Sequence, residues 1–223
     1  MKKPVSLLKL IQYLSRNEAR IKNSFYKDDS GYTLIELLVV IIMIGVLAAI
    51  AAPSWIGFIN QRRVNAANEL VFRSLQEAQS QARNKKLSYS VSFRKNDGLL
   101  EIAVHQTEVR KSDGTKEDFQ PLNWKSFSNE LAIRPGQVLL GTNLDGENQT
   151  GNLSFDLDNP EDKKVTFDYL GALPSGSDTN ILIVVAVPKN DTPIDPTKRC
   201  VKVTTLLGAM TTGRGAKECS INP

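Results

Sequence analysis

The apolar residues of this chain follow three successive rhythms. Residues 37–52 contain no charged or strongly polar side chain, and the longer run 32–59 contains a single charge, Glu36. As a helix, 32–59 would extend about 42 Å, enough to cross a bilayer. The pattern then becomes one-sided. Ala67, Leu70, Val71, Ser74, Leu75, Ala78 and Ala82 recur at helical spacing, while Arg62, Glu69, Arg73, Glu77 and Arg83 fall on other faces. No turn signal separates the two regimes, so one helix is expected to continue to about Lys86, with Pro53 bending rather than ending it. From Leu87 the period becomes two. "SYSVSFRK" (88–95), "NDG" (96–98) and "LLEIAVHQ" (99–106) predict a β-hairpin. Residues 107–130 are polar and turn-rich and predict an exposed excursion. Further strands are expected at 137–141, 152–157, 164–171, 181–188 and 199–210. The whole predicts an α+β protein: a helix with an apolar first half (32–59) and an amphipathic second half (60–86), the latter packed on a largely antiparallel sheet in a β-rich head, 87–223.

Charge changes this picture less than the pI of about 9.0 suggests. Residues 1–31 hold seven Lys/Arg against Glu18, Asp28 and Asp29, which accounts for the entire formal charge of +4. Without that leader the chain is neutral, and its basicity stops being an argument for nucleic acid. Cys200 and Cys219 have 18 residues between them. In an exported protein they read as one disulfide, in a cytosolic one as two free thiols.

The apolar run admits three readings. A cleavable signal peptide would use Ala49-Ile50-Ala51 as its small-x-small site; a plain signal anchor would keep the basic leader in the cytoplasm. Neither accounts for Glu36, since a charge in hydrocarbon costs about 2.5–3.5 kcal/mol at the bilayer centre and less near the interface. The third reading does. Gly31-Tyr32, then "TLIELLVV" with Glu36 at the fifth position after the glycine and Pro53 at the twenty-second, resembles the leader junction of type IV pilins and type II secretion pseudopilins. The leader of 31 residues is long for that family, and Tyr32 stands where Phe is usual.

The resemblance implies a prepilin fold and fate. A prepilin peptidase/methyltransferase would cut after Gly31 and N-methylate Tyr32; Glu36 would pair with a neighbour's new α-amine, and Pro53 would belong to the assembly helix. The "VTFDYLGAL" segment and the Thr-Gly-Arg ending are similar to the GspH/FimT minor pilin group. Implied partners are other pilins, the processing enzyme, an assembly platform and the membrane. The implied location is the inner membrane with the head periplasmic or extracellular, and afterwards a pilus or pseudopilus. A major pilin, and a DNA-binding minor pilin acting in uptake, are the alternatives.

No catalytic, metal or cofactor constellation is legible, and an enzyme is not expected. His105 stands alone within a predicted strand and reads as a surface or packing residue. The N-x-S/T triplets at Asn148, Asn152 and Asn190 are uninformative. Two windows are basic: Arg83, Lys85, Lys86, Arg94 and Lys95, and Lys198, Arg199, Lys202, Arg214 and Lys217. The second overlaps "TGRGAK" (212–217), which is similar to the Gly-Arg-x-Arg motif of DNA-binding FimT-type pilins but has Ala216 at the second arginine. These five are candidate DNA contacts; solvated surface charge is the alternative.

Overall fold

The computed structural model describes residues 31–110, 116–118, 123–157 and 163–221. The expected leader therefore lies outside the described residues apart from Gly31, as do 111–115 and 119–122 of the 107–130 excursion. One helix, α1 (Leu34–Lys85), takes up 52 residues and continues unbroken through position 53. Its first part and the remainder of the chain form two compact units that divide between Ala51 and Ala52.

In the first unit every described residue is exposed, including Leu37, Ile41, Ile44 and Leu47. Large aliphatic side chains on all faces of a helix require an apolar surround. The helix is long and apolar enough to cross a membrane.

In the second unit α1 becomes one-sided, as the spacing predicts. Val64, Ala67, Val71, Leu75, Ala78 and Ala82 are fully buried, Leu70 and Phe72 partly so. They pack against two antiparallel sheets. β1 (Tyr89–Asn96) and β2 (Leu99–Gln106) form the expected hairpin. Its two-residue turn places Asp97 at φ 49° and Gly98 at φ 76°, the left-handed pair that a tight hairpin requires. With β5 (Lys125–Ser126) and β8 (Lys164–Phe167) they make a sheet in the order β5-β2-β1-β8. A second sheet runs β13-β12-β9-β6-β7, from β6 (Leu139–Leu144), β7 (Thr150–Ser154), β9 (Ile181–Ala186), β12 (Arg199–Val203) and β13 (Met210–Arg214). Every residue of β9 is buried because both its faces are covered. Ile181, Ile183 and Val185 meet the helix-side core, while Leu182 and Val184 meet Cys200, Cys219, Leu153 and Phe155. Small ribbons β3–β4 (Glu108–Arg110 and Lys116–Asp118) and β10–β11 (Pro188–Lys189 and Thr192–Pro193), with short helices α2 (Phe127–Leu131) and α3 (Gly215–Glu218), complete the described fold.

The sequence-based expectations need four corrections, the first being that the strand expected over 164–171 stops at Phe167, where the chain turns. The β-structure is two main sheets rather than one. Residues 199–210 are not one strand, because Gly208 at φ 76° turns the chain back and starts β13. Residues 107–130 are not simply an exposed excursion: Ser126 accepts from the Ser128 N–H as the cap of α2, and Phe127 is buried in the core.

The turn at Gly208 has a twin. Residues 168–173 and 204–210 both contain Leu-Gly-Ala with the glycine at φ 76°. In each, the N–H of the glycine bonds a carbonyl three residues back, Asp168 and Thr205 respectively. Gln79 on α1 clamps both turns, donating from Nε2 to the carbonyls of Gly171 (2.7 Å) and Gly208 (3.0 Å).

Candidate functional site

The start of α1 is built by its own sequence. Thr33, just before the first helical residue, accepts at Oγ1 from the Glu36 N–H at 3.2 Å. Leu37 N–H closes the first turn on the Thr33 carbonyl, also at 3.2 Å. This is the threonine half of the Thr-x-x-Glu capping box, a signal legible in "TLIE" that a search for leader motifs passes over. An acidic residue in a first turn also complements the positive end of the helix dipole. Glu36 thus has a local role besides any role between subunits. Its side chain is exposed, and Tyr32 is 82% exposed.

At the other end of the chain Cys200 and Cys219 are joined by a disulfide. It ties α3 to β12 on the sheet face away from α1. Gly213 lies opposite Cys200 across β12–β13, and a Cβ there would come within 2.9 Å of the Cys200 Sγ. The glycine of the Thr-Gly-Arg stretch is therefore required by the disulfide.

The five basic candidates of this region do not share one surface. Arg199 and Arg214 are cross-strand neighbours, and the Arg199 Nε donates to Asn65 Oδ1 on α1 at 3.0 Å. Arg199 is only 8% exposed, and its pKa is lowered first by burial and then by the charge of Arg214. Lys202, one residue out of phase with Val201 and Val203, lies on the disulfide face and reaches the Ser220 carbonyl at 3.4 Å. Lys198 is paired with Asp195 at 2.6 Å, and Lys217 is exposed on α3. Three residues of the other basic window are also engaged. Arg83 Nε donates to the Leu170 carbonyl, Lys85 stands over the Tyr89 ring, and Arg94 pairs with Glu101 and lies 4.0 Å from the Trp124 centroid.

His105 is buried rather than on the surface. Its Nδ1 must donate to the Gln106 carbonyl (2.9 Å), which leaves Nε2 to share a hydrogen bond with Ser92 Oγ at 2.9 Å. Ser92 and Ser90 belong to a buried row of hydroxyls on β1, in which Ser90 bonds both Thr107 and Thr166. Asn148 is buried too: its amide donates to the Thr166 carbonyl and accepts from the Thr166 N–H, occupying the open side of β8 as another strand would. A glycan cannot be attached there. Among the described residues no group of three His, Cys, Asp or Glu could hold a metal.

Residues 26–52 match the family model of the prokaryotic N-terminal methylation motif, which spans Gly31, Tyr32 and Glu36. The N-terminal segment thus carries a prokaryotic N-terminal methylation motif. Among solved structures, the chain is similar to the type IV minor pilin FimU of Pseudomonas aeruginosa, at 15% identity and a TM-score of 0.42. That similarity covers 71% of this chain and 98% of the other. No curated protein matches the chain.

Proposed function

We propose that this chain is a prepilin-like structural subunit, a minor pilin or pseudopilin, cut after Gly31 and assembled through α1 into a type IV pilus or a type II secretion pseudopilus. The observation that carries this reading is a fully exposed apolar helix with one carboxylate in its first turn, directly behind a Gly-Tyr junction inside the matched motif. Before assembly the bilayer covers the apolar helix; afterwards neighbouring helices do. Cleavage creates a positive amine at Tyr32, and N-methylation keeps its charge. The Glu36 carboxylate of an adjoining subunit neutralises that amine in a low-dielectric setting, where an unpaired charge is costly. Apolar packing supplies adhesion and the ion pair sets register. The prepilin peptidase/methyltransferase acts on the leader from the cytoplasm, the assembly platform receives the product, and the disulfide-bonded head lies on the oxidising side. Recovery of the chain in fibres sheared from cells tests this: wild type is recovered, and Glu36→Leu is processed but stays in the membrane. Equal recovery of both rejects the pairing. Abundance in the same fibres separates a minor subunit from a major one.

A second reading, a minor pilin that binds DNA during uptake, rests on the Arg199–Arg214 neighbourhood and Lys217. It requires backbone contacts whose strength falls steeply with salt. The doubly substituted Arg214→Ala, Lys217→Ala chain should then shift DNA less in a gel than wild type, both full-length in detergent. No shift of wild type at low salt removes this reading.

A further inference from the structure

A column of side chains in the unit beginning at Ala52 joins exposed aromatic rings to cations that have no acidic partner among the described residues. Trp55, Phe58, Arg62 and Asn65 recur at intervals of three and four and so share one stripe of α1. The Trp55 and Phe58 ring centroids are 6.1 Å apart, and the Arg62 guanidinium carbon stands 5.8 Å from the Phe58 centroid. Both rings lie largely in the open, 65% and 53% exposed. One turn further, Asn65 holds Arg199, and Arg199 faces Arg214 across β12–β13. No ion pair to Arg62, Arg199 or Arg214 exists among the described residues. Glu218 accepts at Oε2 from the backbone N–H of Arg214, not from its guanidinium. Nor does α1 carry any acid between Glu36 and Glu69.

We propose that this column binds the phosphate headgroups of anionic phospholipids and seats the head on the membrane surface while the subunit waits to be assembled. The proposal rests on the reading of the apolar part of α1 as a membrane span. Aromatic rings with an apolar body and a polar edge favour the bilayer interface, and basic residues next to them meet the phosphates. The spacing suits this order: Arg62 lies six residues, about 9 Å, beyond the exposed Ile56, close to the depth of a headgroup layer. The cross-strand pairing of Arg199 and Arg214 also places two cations side by side. Burial and the nearby charge of Arg214 disfavour the charged form of Arg199, and a phosphate between the two would offset both. A nucleic acid could supply phosphate as well. Continuity favours lipid, because the aromatic end of the column leads into a helix apolar enough to cross a membrane.

The test is lipid selectivity of the full chain reconstituted into vesicles of mixed phosphatidylcholine and phosphatidylglycerol. Spin-labelled versions of each lipid report which one collects at the protein. Wild type should enrich phosphatidylglycerol, and Arg62→Gln and Arg214→Gln should each reduce that enrichment, by up to about fivefold per cation. Both substitutions fall on exposed side chains, so folding survives; Lys189→Gln, exposed on the β10–β11 ribbon, should leave the ratio unchanged. Equal accumulation of the two lipids at wild type overturns the proposal, as does a preference that neither arginine substitution moves. A single-stranded oligonucleotide that abolishes the preference at equal phosphate concentration assigns the column to nucleic acid and overturns it too. Failure of the chain to enter vesicles overturns both the membrane span and the lipid site, whereas entry without selectivity overturns the lipid site alone.

Discussion

Replacing Glu36 by Gln removes a charge but keeps a group able to complete a capping box, whereas Thr33→Ala removes the cap and leaves the charge. The two substitutions separate the roles that meet at this turn. Thr33→Ala should loosen the first turn by about 1 kcal/mol, seen as faster amide exchange at Glu36 and Leu37, with fibre incorporation largely kept. Glu36→Gln should leave exchange near wild type and abolish incorporation. The reverse result would make Glu36 a capping residue only. Asn68 carries a second residue-scale prediction. It sits on the buried face of α1 with its Oδ1 lacking a hydrogen-bond partner among the described residues, a situation that costs about 1–3 kcal/mol. The nearly isosteric Asn68→Leu should therefore raise the midpoint of thermal unfolding; a lower midpoint would mean that the amide is satisfied by a partner. At this scale the sequence revealed Gly31, Tyr32 and Glu36 as a motif because the spacing itself is the signal. The isolation of Arg199 and Arg214 was not legible, since it arises from strand register and from Asn65, more than a hundred residues away in the chain.

Among the elements, the helical stripe, the "NDG" hairpin and the apolar run of β9 were all legible, because each announces its period or turn over a few residues. The partition into two sheets was not, as it depends on which distant edges pair. The turn inside 199–210 was obscured by its flanking apolar residues, although Gly208 marked it. That turn and its twin hang on Gln79, so Gln79→Ala should destabilise the head by about 1–3 kcal/mol through two carbonyls left without a partner. Gly208→Ala should cost at least as much. Its φ of 76° strains any Cβ, and that atom would come within 2.5 Å of the Gln79 amide and 2.8 Å of the Gly171 carbonyl. Denaturant unfolding of both variants checks the pair, and wild-type midpoints would deny the clamp. The disulfide closes a short terminal loop, which the chain-entropy model values at about 3 kcal/mol. Cys200→Ser with Cys219→Ser should lower the stability of the head by that order, and reductant should lower wild type equally while leaving the double variant unaffected.

Taken by itself, the unit from Ala52 onward has a covered core, whereas every described residue of the unit before it is exposed. On the proposed reading such a chain exchanges one apolar environment for another, lipid first and neighbouring subunits later, and a cut after Gly31 would supply the charge that Glu36 answers. Intact mass and N-terminal sequencing of the mature protein, isolated from cells with a working prepilin peptidase, test this most directly. The account predicts a chain that begins at N-methylated Tyr32. A terminus at Ala52 would make the apolar run a secretory signal, an intact Met1 would make it a plain anchor, and either would contradict the account.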